Sequence, residues 1–395
     1  VDLRQHWHYP GVVYKSCLSQ EHQPGLYGLI SLNTKWTFNA MQYPTCAYIN
    51  SILCKNNVSN IKLKHENVAV VQIAPVSCTA PNIIYYDRCM ANLYAAVRRQ
   101  CTATPGPNDA FLCKFEKYFD SVIMHEIEEL LIDFDYSYAV WYNHLTTQQQ
   151  NEMDTVNLDN LQCKYCVIFC KCEKQDDKDG LPKNRAISAM CAEHKYVMGP
   201  IIYSLEQYFK KFKGYGGGKT WLQTGQLYDK WKSKGLTRVV QTDISGMDRS
   251  VTQRIKEIIG FKIYGLLDDK VKHVTVEQWQ FHVRQANTQI RATYYENGLS
   301  QTLGSCNMVG EVFSGSSDTT FFNTVVTACF QRYICEELLF LDTQSYDLTA
   351  KGDDSAVVLP VSVTKNDIRS AYRQVYYNAA DIKGPHTAYL THHGS

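Results

Sequence analysis

The chain of 395 residues has no uninterrupted apolar run of about 18 residues, so no transmembrane helix is expected. No basic segment followed by an apolar stretch opens it, so no secretory leader is expected either, and Val1 as first residue points to a processed product or a fragment. Net charge is nearly absent, with 40 Lys and Arg against 39 Asp and Glu. That excludes the small basic module that binds nucleic acid through overall charge, although a larger enzyme can keep a locally basic channel within a balanced total. Internal repeats and low-complexity tracts are missing, which removes solenoids and disordered linkers. The 15 cysteines are odd in number and irregularly spaced. They do not form a disulfide framework, and a reducing compartment is expected.

What is there is an ordinary globular composition, 45% apolar and 20% charged, in a length that suits two or three domains. Residues 85–99 read as helix, and 110–145 do so more strongly, with Phe115, Phe119, Ile123, Ile127 and Leu130 recurring at helical spacing. Residues 163–174 look extended, and helix follows Pro200 to about Lys213. The glycine run Gly214–Gly218 reads as a flexible break and a subdomain boundary. Beyond it, Arg238–Thr242 reads as a buried strand closed by Asp243, 251–266 as helix and 318–338 as a long apolar helix. Tyr346 to Pro360 reads as two strands around a turn at Lys351-Gly352-Asp353-Asp354.

Three carboxylates in two places carry the chemistry. Asp243 ends an apolar strand, and Gly352-Asp353-Asp354 sits in a turn before the apolar run Ser355–Leu359. Phosphoryl transfer by two divalent ions about 4 Å apart needs carboxylates from adjacent strands, and Mg²⁺ prefers such hard oxygen ligands. Taken alone, Gly-Asp-Asp is an ordinary hairpin turn. Five residues after Asp243 stands Asp248, and further on comes Ser314-Gly315-Ser316-Ser317-Asp318-Thr319-Thr320-Phe321-Phe322-Asn323. A helix starting near Asp318 would put Thr319 and Asn323 on one face. A hydroxyl, an amide and Asp248 together suit a ribose 2′-hydroxyl, the group that separates RNA from DNA.

The order Asp-x4-Asp, Ser-Gly-x3-Thr-x3-Asn, Gly-Asp-Asp, with gaps of roughly 70 and 40 residues, resembles the palm motifs A, B and C of RNA-dependent RNA polymerases from positive-strand RNA viruses. The resemblance implies an α+β right-hand fold of fingers and palm, with an antiparallel palm sheet flanked by helices. It implies fingers and fingertips at 1–235, palm at 236–265 and 305–395, and a fingers insertion at 266–304. Motif E and a thumb would then lie mostly beyond the last residue. By the same resemblance Asp243, Asp353 and Asp354 hold two Mg²⁺ ions, which Mn²⁺ can replace, and Asp248, Ser314, Gly315, Thr319 and Asn323 bind the ribonucleotide.

Lys171, Lys174, Lys183 and Arg185 resemble motif F, the basic cover of the incoming triphosphate, with Arg185 first, then Lys174 and Lys183. Lys383 resembles the motif D general acid, with Lys365 and His386 as alternatives. Thr104-Pro105-Gly106-Pro107 is a candidate for the template-guiding motif G. The stretch Met190–Phe212 and the helix before 160 resemble tombusvirus- and nodavirus-like polymerases. The implied partners are an RNA template, the nascent RNA, NTPs and further replicase components, in a membrane-associated replication complex of the host cytoplasm.

Several rival readings are weaker. Gly214–Thr220 has one residue too few between its glycines for a phosphate-binding loop. Cys163, Cys166, Cys170 and Cys172 are spaced for buried free thiols better than for zinc. A reverse transcriptase would carry a bulky residue near Asp248 to exclude the 2′-hydroxyl. A catalytically silent RNA-binding scaffold would have no use for three mutually repelling carboxylates.

Overall fold

A computed structural model describes residues 83–85, 107, 109–162, 165–171, 174–176, 186–236, 238–244, 247–284, 287–296, 299–309, 312, 314–375 and 390–391. The fold mixes helices with small sheets. The strands are β1 (Ile83–Tyr85), β2 (Tyr165–Cys170), β3 (Lys174–Asp176), β4 (Ala186–Ala189), β5 (Arg238–Asp243), β6 (Asn287–Glu296), β7 (Leu299–Val309), β8 (Asp347–Lys351), β9 (Asp354–Leu359) and β10 (Leu390–Thr391). The longer helices are α1 (Asp109–Tyr118), α2 (Met124–Leu130), α3 (Ala192–Phe209), α4 (Trp221–Ser233), α5 (Val276–Val283), α6 (Thr319–Tyr333) and α7 (Lys365–Val375). No described helix is long and apolar enough to cross a membrane.

The chain divides into two units, the first formed by 1–103, 164–189 and 288–308 and the second by 104–163, 190–287 and 309–395. The first holds a four-stranded sheet in the order β4-β2-β6-β7 and the short β1-β3 pair. Within it β2 runs antiparallel to β4 and parallel to β6. The second holds the sheet β10-β5-β9-β8, in which β5 and β8 each pair antiparallel with β9.

The core of the second unit is built around α6. Every residue from Phe321 to Tyr333 is buried, so beyond its first two residues this helix has no solvated face. Phe330 meets Phe111 and Phe115 of α1 edge to face, with ring centroids 5.2 and 4.9 Å apart. Phe321 packs at 4.9 Å against Phe209 of α3. Each such ring removes large apolar area from water, about 1.5–3 kcal/mol apiece. Arg332 is the charged exception at 3% exposure, neutralised by Glu126 and by Glu336, whose carboxylate also accepts from Tyr118 and Tyr346.

Four expectations change. The helix expected over 110–145 is broken, because α1 and α2, joined by a π turn, end at Leu131 and Ser137 caps a new helix, Tyr138–His144. The helix expected after Pro200 begins earlier, capped by the Cys191 sulfur, and runs through the proline. Gly199 there lies so close to the Trp141 ring that an added Cβ would fall 2.4 Å from it, so the helix is packed shut at this point. Cys191 is also disulfide-bonded, which the expectation of reduced cysteines does not include.

The glycine run is the clearest correction. Gly214 to Gly218 lies inside the second unit and forms an added edge on β8. Ala350 N–H donates to Gly214 O, and Gly216 N–H donates to Ala350 O, both at 2.7 Å. Tyr215 between them is fully buried. A Cβ on Gly216 would stand 2.5 Å from Ala350 O, so glycine serves here for close backbone approach and not for flexibility.

Candidate active site

The pairing of β5 with β9 sets two of the predicted acidic residues opposite each other along the backbone. Their register pairs Thr242 with Ser355 and Asp243 with Asp354, and the backbone contact continues past the strand end, where Ile244 N–H donates to Asp353 O at 3.1 Å. Asp353 and Asp354 are exposed. Gly352 turns the chain between β8 and β9 with φ +64°, a left-handed value that costs a residue with a Cβ about 1–2 kcal/mol.

That turn is held by α6. Gly352 N–H donates to Thr324 Oγ1 at 2.9 Å, and Thr327 Oγ1 donates to Gly352 O at 2.7 Å. Both backbone groups of the glycine are therefore fixed by one helix face. Beneath the carboxylates lies a buried polar quartet. Thr242 Oγ1 and Ser355 Oγ share a hydrogen bond of 2.5 Å, and Gln331 Nε2 donates to both at 3.0 Å. Tyr372 of α7 donates its hydroxyl to Gln331 Oε1 at 2.5 Å. Thr324, Thr327 and Gln331 recur at three and four residues, so they share one stripe of α6 facing the strands.

The same helix begins with the predicted ribose-contacting residues. Asp318 stands at its N-cap and Thr319 is its first residue, with Thr319 Oγ1 donating to Ser316 O at 3.1 Å. Asn323, one turn later, is buried at 5% exposure, while Ser314 is exposed and Gly315 half-buried in the loop before the helix. Asp248 lies in the short helix Met247–Ser250 that follows β5, anchored by buried Met247. The structure thus joins the Asp243 strand, the Asp353-Asp354 turn and the Thr319–Asn323 helix through hydrogen bonds of their immediate neighbours.

Lys183, Arg185 and Lys383 lie outside the described residues, as do His386, Thr104–Gly106, Cys163 and Cys172. Lys174 belongs to the first unit, where its backbone pairs with Tyr85. Lys365 opens α7. Cys166 is buried on β2 and burial pushes its thiol up to about 12, away from the thiolate a zinc site requires. Among the described residues no three His, Cys, Asp or Glu side chains converge as a metal-binding group, and the Asp243 carboxylate is not one of the described side chains.

No protein-family model matches this chain, and no curated protein does. The reading of the site therefore stands on its residues. Sequence reasoning missed Thr242, Thr324, Thr327, Gln331, Ser355 and Tyr372. A signal for the helical ones was present, since three hydrogen-bonding side chains fall on one stripe of an otherwise apolar helix.

Proposed function

We propose that this chain is an RNA-directed RNA polymerase that adds ribonucleotides to an RNA 3′-hydroxyl under template direction. The observation that carries the reading is the register of β5 against β9, which sets Asp243 opposite Asp354 with Asp353 in the adjoining turn. The donor set is all oxygen, which suits two Mg²⁺ ions or Mn²⁺ in their place. When bound, the ions would lower the pKa of the attacking hydroxyl and neutralise charge on the phosphates. Asp243, Asp353 and Asp354 would hold them, and Asp248, Thr319 and Asn323 would select ribose. On this reading the second unit carries the palm of a right-hand fold.

Templated incorporation of labelled NMP on a primed RNA with Mg²⁺ or Mn²⁺ tests the proposal, with the Asp353→Asn variant as control. Activity in the parent and none in a folded variant is the expected result. Near-normal activity in the variant would remove the metal role of Asp353. Silence of the parent and of a C-terminally extended chain would remove the polymerase reading. Replacing Asp248 or Asn323 should narrow the preference for NTP over dNTP, and an unchanged ratio would count against their ribose role.

A further inference from the structure

A second buried polar assembly lies behind the loop 314–318, within the same unit as the carboxylates. Leu161 O faces His282 Nε2 of α5 at 2.6 Å, His282 Nδ1 faces His194 Nδ1 of α3 at 3.2 Å, and His194 Nε2 faces Ser316 Oγ at 3.0 Å. Ser316 Oγ in turn lies 2.6 Å from Asp318 Oδ1, and Tyr264 donates its own hydroxyl to Asp318 Oδ2 at 3.0 Å. His194, His282 and Tyr264 are 4, 3 and 3% exposed, and with Lys256 and Asp318 they line one small cavity.

Counting protons along this chain is informative. The contacts Leu161–His282, His282–His194, His194–Ser316 and Ser316–Asp318 are four, and each needs one hydrogen. Two neutral imidazoles supply two and the Ser316 hydroxyl a third. With an ionised carboxylate the chain is one proton short. With a fourth proton it closes and is neutral overall, an imidazolium facing a carboxylate. Such a proton belongs to the coupled chain and not to one residue. Burial depresses the proton affinity of both imidazoles, His194 also through the charges of His282, Lys256 and Lys195. A doubly charged pair of rings is therefore excluded.

The weak point is Ser316. Ring tautomers let the missing hydrogen fall at any of the four contacts, but the rings are buried between α3 and α5, so the acceptor–acceptor contact that can relax by moving apart is one made by the loop. An ionised carboxylate is the stronger acceptor. The bond that opens is then the one tying the loop to α3.

We propose that His194 is a positioning residue for the loop Ser314–Asp318, holding it against α3 and α5 through this proton-shared chain and releasing it when the chain loses a proton. The role of that loop in nucleotide binding rests on the polymerase reading, whereas the proton count does not.

The test uses the full chain with ¹⁵N-labelled histidine, followed by NMR from pH 4 to 8, because both rings are depressed below the ordinary histidine value of about 6.5, with amide hydrogen exchange of 314–318 corrected for its intrinsic pH dependence. The parent should show one titration shared by both rings, and Ser316→Ala should shift the midpoint of each. Exchange in the loop should rise about tenfold through that titration, the loss of one strong hydrogen bond, and Ser316→Ala should be fast throughout. His194→Gln is the second variant, and Tyr264→Phe, which leaves all four contacts in place but removes a donor to the Asp318 carboxylate, should keep the shared titration and the exchange step with the midpoint moved to higher pH. Rings that titrate independently and do not respond to Ser316→Ala would overturn the proposal, as would loop exchange without a pH step. In the incorporation assay KM for NTP should rise with pH in the parent and be flat in Ser316→Ala, with kcat little changed. Ring coupling without any incorporation would sink the polymerase reading alone, and normal incorporation without ring coupling would sink this proposal alone.

Discussion

Replacing Gln331 with leucine tests the quartet beneath the carboxylates. Leucine fills nearly the same volume but accepts and donates nothing. In the parent, Gln331 is completely buried, donates to Thr242 and Ser355, and accepts from Tyr372. The variant loses three bonds, from Tyr372 and to Thr242 and Ser355, whose net worth is about 0.5–1.5 kcal/mol each. The expected destabilisation is about 2–4 kcal/mol after partial relaxation. Tyr372→Phe alone removes the donor to Gln331 Oε1 and should cost about 1–2 kcal/mol. In the double variant leucine faces phenylalanine and no polar atom of that link is left without a partner. Its cost should fall below the sum of the single changes by about 1–2 kcal/mol. Urea unfolding of the four proteins with linear extrapolation measures the cycle. A Gln331→Leu variant within about 0.5 kcal/mol of the parent, or strict additivity, would refute the network. Because Thr242 and Ser355 are the chain neighbours of Asp243 and Asp354, folded Gln331→Leu should also need more Mg²⁺ for half-maximal incorporation, provided the polymerase reading holds.

Two glycines should respond oppositely to alanine. Gly216→Ala forces β8 aside, because the new Cβ would meet Ala350 O at 2.5 Å, and should cost about 1–3 kcal/mol, whereas Gly225→Ala in α4 meets nothing within 4 Å and should add about 0.5–1 kcal/mol in thermal melts. Arg332→Met leaves the partly buried Glu336 carboxylate without its paired cation and should cost about 3–5 kcal/mol in the same melts. His273 accepts from Tyr136 OH at 2.6 Å and faces Tyr196 O at 3.1 Å through its other nitrogen, an arrangement complete for the neutral ring. Burial holds its pKa below the ordinary histidine value of about 6.5. The unfolded chain therefore takes up a proton that the folded chain refuses, so this contribution is present above about pH 6.5 and lost as pH falls below it. The melting temperature should fall from pH 7 to 5.5, and His273→Gln should flatten part of that slope. An identical slope in the variant would count against the assignment.

Local physics made the carboxylate strands legible before their pairing was known. Arg238–Asp243 is an apolar strand with an acid at its end, and Gly352 marks a turn that only a left-handed residue makes comfortably. The helix Thr319–Tyr333 declared itself as a long apolar run with an acidic cap. What a one-dimensional pattern does not carry is which face meets which. The parallel pairing of β2 with β6 joins segments more than a hundred residues apart, and no periodicity within either reveals it. The glycine run misled because glycine serves two opposite ends, freedom in a linker and intimacy in a core. Only the 2.7 Å bonds to Ala350 show which applies.

The same ambiguity explains why the supporting polar residues stayed hidden. Threonine and glutamine within an apolar helix read as minor interruptions until their partners are known. In this fold those interruptions supply the register. A one-residue slip of β5 against β9 would separate Asp243 from Asp354 and turn every side chain of the strand to its other face. Apolar packing resists the flip but discriminates weakly among Val239, Val240, Val357 and Val358, which are similar in size. A slip by two residues would keep the faces and preserve much of that packing. It would also bury the Thr242 and Ser355 hydroxyls away from Gln331 at about 1–3 kcal/mol for each group left unsatisfied. The quartet is thus the part of the second unit that distinguishes the register setting Asp243 opposite Asp354 from its nearest apolar competitor. The polar stripe of α6 acts on the site through that choice, without touching the reacting groups.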